Sequence, residues 1–201
     1  MSMTKAASLA ERRNDLTRAL ILEAAIGVLE NGAVHELTVR AVAKRANISE
    51  RTVFRYFASR EAFLDAVAAE VQRRLDLPPP PASLEALEAA PRDLYRGFEA
   101  RTNLTKAALH SELFPRMRDS YAKERWTAVR RVIDERWPER AERERRIAAA
   151  NIRYYLAAST WHYYRFYMGL SLKDTIACAE TVIRQSLASL EAGAPRAAGG
   201  G

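Results

Sequence analysis

Thr38 to Phe57 runs TVRAVAKRANISERTVFRYF. The stretch predicts two short helices, Val39 to Arg45 and Glu50 to Tyr56. Each is opened by a hydroxyl residue, Thr38 or Ser49, whose oxygen accepts from a free first-turn N–H. Ala43 is small where two helices must approach closely, and Asn47 tolerates the left-handed conformation that a tight turn demands. Ile48, Val53 and Phe57 supply the apolar positions that lock the crossing. Downstream, Ser59 caps a helix from Arg60 to about Leu75, with Phe63, Leu64, Val67, Val71 and Leu75 on one stripe. Upstream, Leu16, Leu20, Ala24, Ala25, Val28 and Leu29 recur at three- and four-residue steps, which predicts an amphipathic helix over 14–31 that stops at Asn31-Gly32. Small residue, turn former and core positions fall in the register of a helix-turn-helix.

The rest of the chain is helical in pattern too. Of 201 residues, only 8 are Gly and 8 Pro; Gly193, Gly199, Gly200 and Gly201 lie at the end, and four prolines form the run Pro78 to Pro81. Too little turn chemistry remains for an all-β fold. The proline run cannot be helical and sets the domain boundary. Beyond it, helices are predicted over Leu84 to Arg101, Asn103 to His110, Pro115 to Trp137, Glu139 to Met168 and Leu172 to Glu191. The expected fold is all-α with about nine helices: a three-helix helix-turn-helix domain over 1–77 (motif 38–57), a helical domain over 82–192, and a disordered tail over 193–201.

Several function classes fall away. No 18-residue apolar run exists and the N-terminus is polar, so a cytoplasmic protein without a membrane partner is expected. Cys178 is the one cysteine, and His35, His110 and His162 are far apart, which leaves neither a disulfide framework nor a metal site. Gly27, Gly32, Gly97 and Gly169 cannot assemble a phosphate-cradling loop. No nucleophile–base pair is evident, so neither catalysis nor a cofactor is expected.

Charge is unevenly placed. The total is +7, and residues 38–60 carry six basic side chains against one acidic, a block of +5 flanked by −1 over 1–37 and −4 over 61–100. Charge alone does not separate a solvated face from a polyanion site. Here the block coincides with the two-helix unit, whose second helix presents Glu50, Arg51, Thr52, Arg55 and Tyr56 away from the core, a set able to reach base edges and phosphates in a major groove. Arg51 and Arg55 suit guanine, since a guanidinium bonds O6 and N7 together, and Glu50 suits a cytosine amine. Thr38, Tyr56 and Arg60 lie at helix ends, where they can hold phosphates. Arg40, Lys44 and Ser49 complete the candidate contacts; the N-terminal Lys5, Arg12 and Arg13 read either as a frayed tail or as further contacts to a neighbouring groove or phosphate. A binder without sequence preference, and a carrier or enzyme with an incidental basic hairpin, are the alternatives.

Residues 14–75 resemble the N-terminal domain of the TetR transcriptional repressors, the most specific match being TVRAVAKRANISERTVFRYFASREAFLDAV. The resemblance implies a homodimer with a divergent C-terminal domain that binds a small-molecule effector and dimerises through its last two helices. By position, Thr38 and Arg40 look like contacts from the first motif helix, Arg51, Thr52 and Arg55 like recognition-helix contacts, and Tyr56 and Arg60 like phosphate anchors. Asn47 stands where the family usually has glycine, Phe54 where it often has tyrosine, and Arg60 where lysine is commoner. The first is sterically tolerable, the second removes one hydroxyl, and the third keeps the charge.

One recognition helix covers little DNA, whereas a two-fold dimer presents two to half-sites roughly 34 Å apart or a multiple of that. The candidate dimer surface is Ile176, Ala179, Ile183, Leu187 and Leu190 with Trp161, Tyr164 and Arg165 before them. The candidate effector pocket is Tyr95, Phe98, Leu109, Phe114, Met117, Tyr121 and Trp126. Arg140, Arg143, Arg145 and Arg146 alternate with Glu139, Glu142 and Glu144 as a solvated helix face would.

Overall fold

The computed structural model describes the backbone of residues 9–31 and 37–192 and, within these, all side chains except those of 9–11 and 119–122. The expected tail over 193–201, His35 and Lys5 lie outside the described residues. No strand occurs among the described residues, and the chain is all-helical. The α-helices are α1 Leu9–Glu30, α2 Val39–Arg45, α3 Glu50–Tyr56, α4 Arg60–Leu75, α5 Leu84–Ala100, α6 Thr102–His110, α7 Leu113–Arg136, α8 Glu142–Tyr155, α9 Ala158–His162 and α10 Leu172–Ala192. A π-helical turn, Tyr163–Tyr167, follows α9.

The described residues form two compact units, one within 1–74 and 106–116 and one within 75–105 and 117–201. The first therefore takes back a segment from beyond the proline run. Arg116 ties that segment to Glu61 and Asp65 of α4, Arg60 bonds Glu112, and Ala107, Ala108 and Leu113 are buried. In α1 the covered residues are Ile21, Leu22, Ala24, Ala25, Ile26, Val28 and Leu29, whereas Leu16 and Leu20 are 71% and 47% exposed. Both leucines were expected on the buried face; instead the apolar surface of α1 is covered along its second half. The α4 stripe is buried as its spacing predicts, with Phe63, Leu64, Val67 and Val71 almost fully shielded. Glu70 on that helix holds Arg73 (2.6 Å) and Arg74 (2.8 Å), and Arg74 also binds Glu23 of α1. These guanidiniums, Arg73 foremost, bring the Glu70 carboxyl down to about 2.

In the second unit α10 packs on α8 and α5. Leu87, Leu94, Val129, Ile133, Trp137, Ile152, Trp161 and Ile183 meet in one core, and each large side chain buried there stabilises the fold by about 1.5–3 kcal/mol relative to exposure. Tyr95 is fully buried among them, and its hydroxyl donates to the Tyr155 carbonyl at 2.7 Å. Burial pushes that phenol far up, so it stays neutral.

The single helix expected over Glu139 to Met168 is broken twice. The Thr160 hydroxyl donates to the Tyr154 carbonyl at 2.7 Å, joining the Ala157 N–H (3.2 Å) on that acceptor at the end of α8. The Trp161 indole and the Arg165 guanidinium both grip Glu99 of α5, at 3.0 Å and 2.6 Å. The chain then widens, the Met168 N–H reaching the Tyr163 carbonyl five residues back at 3.0 Å. Around α8 the alternating charges form ion pairs: Arg140 with Glu144, Arg145 with Glu142 and Asp134, and Arg130 with Glu142 and Asp134.

Candidate nucleic-acid interface

Three hydroxyls cap the three helices of the motif region. The Thr38 oxygen accepts from the Ala41 N–H at 3.0 Å, Ser49 from Thr52 at 3.1 Å and Ser59 from Ala62 at 3.1 Å. Each cap satisfies a first-turn donor and fixes where its helix begins. Asn47 has φ 53°, the left-handed conformation its side chain tolerates. Around it the Ile48 N–H reaches the Ala43 carbonyl (3.0 Å) and the Asn47 N–H the Lys44 carbonyl (3.2 Å), the paired bonds of a Schellman stop. Val42, Ala43, Val53 and Phe57 are buried and Ile48 is half-buried, so the crossing of α2 and α3 is fixed by packing as well as by the turn. Phe57 meets Phe63 edge-on at 5.4 Å and lies under the Arg18 guanidinium at 5.1 Å.

That packing leaves one face outward. Thr38, Arg40, Lys44, Ser49, Glu50, Arg51, Arg55 and Arg60 are exposed, and Thr52 and Tyr56 are half-buried. Ser49, Arg51, Thr52, Phe54 and Arg55 line a concavity of about 420 Å³ on α3. Phe54, 45% exposed, offers it an apolar wall of a kind that suits a thymine methyl. Among the described residues, Arg40, Lys44, Arg51 and Arg55 form no ion pair. Arg60 differs, because Glu112 holds it at 2.5 Å and Glu61 stands at 3.8 Å. The Thr52 hydroxyl is likewise engaged, 2.9 Å from that of Ser49.

The phenol of Tyr56 is held by a hydrogen bond to Thr17 of α1, with Arg55 and Arg13 near; that bond first, then Arg55, lowers its pKa below the ordinary value. The Arg55 guanidinium lies 5.3 Å from the Tyr56 ring centroid. Thr17, Arg18 and Glu112 were not foreseen from the sequence. Nothing local marks them, since they act on residues about forty or more positions away. A further basic residue, Arg45, lies against Gly27 so closely that a Cβ there would overlap its guanidinium. Gly27 is thus a close-approach glycine, and the cation is drawn onto α1.

The residues expected for an effector pocket are divided. Leu109 and Phe114 are half-buried in the first unit; Tyr95 and Phe98 are core of the second, where Met117 and Trp126 are half-buried. The Tyr121 side chain lies outside the described residues. Of the expected dimer surface, Trp161, Ala179, Ile183, Leu187 and Leu190 are buried in the protomer's own core, so their apolar area is already covered. Tyr164, Arg165 and Ile176 are half-buried, Arg165 being engaged with Glu99. No group of three or more His, Cys, Asp or Glu able to hold a metal occurs among the described residues, and no helix there is long and apolar enough to cross a membrane.

A capped helix, a left-handed turn and a second capped helix with outward unpaired cations define the first unit as a helix-turn-helix DNA-binding domain. Residues 21–67 match the family model described as bacterial regulatory proteins, tetR family. Over that segment, which contains the two motif helices, the chain is similar to this family of bacterial regulatory proteins. Among solved structures, the crystal structure of a TetR transcriptional regulator from Rhodococcus sp. RHA1 is similar over 92% of this chain and 99% of that one, at 19% identity and a TM-score of 0.45. No curated protein matches the chain significantly.

Proposed function

We propose that the protein is a repressor that acts as a homodimer on a palindromic double-stranded operator and is released by a small-molecule effector. The observation that carries the sequence-specific part is the outward face of α2 and α3, where Arg40, Lys44, Arg51 and Arg55 have no acidic partner among the described residues. Arg51 and Arg55 read bases; Thr38, whose oxygen is spent as a cap while its O–H remains able to donate, positions the domain on phosphate with Tyr56. A bound dimer excludes other proteins from the DNA it covers, which is repression in its simplest form.

Support for dimerisation comes from an uncovered aromatic surface. Tyr154, Tyr163, Phe166, Tyr167 and Met168 are 64%, 52%, 42%, 77% and 54% exposed, an apolar concentration of the kind that marks an association surface. The effector acts as a population shift: a ligand that prefers a dimer misaligned for its operator weakens DNA binding by its differential affinity and no more. Selection of bound duplexes from a random pool is the test. A two-fold symmetric sequence is expected, with half-sites one helical turn or a multiple apart. Recovery of no sequence preference would replace this reading by that of a sequence-tolerant architectural protein.

A further inference from the structure

The second motif helix carries one large apolar side chain that its own packing does not use. Val53, fully buried, and Phe57 just past the helix end, 3% exposed, seat α3 on its neighbours, whereas Phe54 between them stays 45% exposed. Arg51, Phe54 and Arg55 stand three and four residues apart, so the ring shares one outward face with two exposed guanidiniums. With Ser49 and Thr52 they line the concavity of about 420 Å³ on that face. An apolar ring held in water between two cations gains little from folding, and its area is covered only when an apolar group of a partner meets it. The apolar group that base edges present in a major groove is the pyrimidine 5-methyl.

The hydroxyls beside the ring decide what else the concavity tells apart. Ser49 Oγ accepts from the Thr52 N–H at 3.1 Å, and the two hydroxyl oxygens are 2.9 Å apart, with either able to donate to the other. With Ser49 as donor, the Thr52 O–H turns outward and can donate to the O4 of thymine. With Thr52 as donor, its oxygen keeps lone pairs that can accept from the N4 amine of cytosine. The pair thus suits either group at C4, and the ring selects the methyl at C5. We infer that this concavity is a 5-methylpyrimidine pocket: it takes the methyl of an operator thymine, and takes 5-methylcytosine in the same place while discriminating against unmethylated cytosine. Three residues of helix set Phe54 about 4.5 Å beyond Arg51 along the axis, against about 3.4 Å per base step, so the methylated base lies next to the guanine that Arg51 reads. The inference rests on the sequence-specific reading above and adds to it a dependence on cytosine methylation.

The test uses the full chain and a duplex recovered by selection from a random pool, with binding read by fluorescence anisotropy at one salt concentration. Each thymine of the half-site is replaced in turn by uracil, cytosine and 5-methylcytosine. At one position uracil should weaken binding about three- to tenfold, the range for leaving one methyl uncovered, and 5-methylcytosine should bind better than cytosine by a similar factor. In Phe54→Ala both differences should vanish while guanine at the neighbouring position is still preferred; a ring that only packs α3 would lower affinity for all four duplexes alike. Phe54→Leu, which keeps an apolar contact, should retain part of the methyl preference. Equal affinity of the parent for thymine and uracil at every position, a comparison that needs no variant, would overturn the pocket, as would a methyl preference that survives in Phe54→Ala. 5-Methylcytosine bound no better than cytosine would overturn the dependence on methylation. A pool that yields no preferred sequence would sink the sequence-specific reading and the pocket together, whereas a preferred sequence in which uracil replaces thymine without loss would sink the pocket alone.

Discussion

Arg55 and Arg60 are both exposed cations of the DNA-facing unit, but their neighbours differ. Arg55 rests on the Tyr56 ring with no carboxylate beside it, whereas Arg60 is shared between Glu112 and Glu61. A guanidinium that reads guanine loses about 1–3 kcal/mol of discrimination when removed, while one whose charge is already partly answered contributes less and without regard to sequence. Arg55→Ala is therefore expected to lower affinity for the selected operator about tenfold or more, with a smaller loss on scrambled DNA. Arg60→Ala should weaken both alike and modestly. Fluorescence anisotropy at one fixed salt concentration compares them, and equal losses for Arg55→Ala on the two DNAs would remove it from base readout. The positions of Thr38, Asn47, Ser49 and Ser59 were legible because each residue has a local task, a cap or a left-handed turn, that its chemistry announces. Glu112 was not, because its partner lies fifty-two residues away and glutamate in a helical run has no single meaning.

Among the elements, the α2–α3 turn depends on Asn47 at φ 53°. Ala at that position meets the Cβ penalty of the left-handed region, about 1–2 kcal/mol, while Gly meets none. Asn47→Ala should lower stability to urea by about 1 kcal/mol, and Asn47→Gly should stay close to the parent. Similar losses in both variants would show that the amide side chain matters more than the backbone angle. The link between α4 and α1 has a pH signature. Glu70 ionises at about 2 in the fold against an ordinary 4.5, so the native state gains from it fully above pH 4.5 and loses that gain as pH falls toward 2. The pair is partly solvated, and the gain is about 1 kcal/mol. Glu70→Gln should cost that amount at pH 7 and flatten the stability profile between pH 4.5 and 2; an unchanged profile would separate the ion pairs from folding.

Helix existence beyond the proline run followed from periodicity, but which face is covered did not. Trp161, Ile183 and Leu190 read equally as core or as contact surface, because an apolar stripe does not say which neighbour it meets; the structure spends them on the protomer's own core. The break between α8 and α9 has neither Gly nor Pro, and is held instead by Thr160 and by the grip of Trp161 and Arg165 on Glu99, more than sixty residues upstream.

At the scale of the whole molecule, the net charge of +7 is concentrated in part on residues 38–60, and DNA affinity should fall steeply with salt because each phosphate contact releases a counterion. Self-association is the second molecular property. Tyr163 and Tyr167 stack at 4.8 Å and stay more than half exposed, so replacing both with serine removes apolar surface without opening the core. Sedimentation should show the parent as a dimer at micromolar concentration and the double variant as a monomer of unchanged helicity. A variant that remains dimeric would place the contact elsewhere.

The wide turn of Tyr163–Tyr167 holds one residue more than ordinary helical pitch requires. Chain length is negotiable there: dropping one residue would return the segment to regular winding. The same deletion within α10 would swing Ile183, Leu187 and Leu190 about 100° off their seats. Relatives that differ in length across this half of the chain are therefore expected to concentrate their insertions and deletions at this turn, sparing the helix that follows.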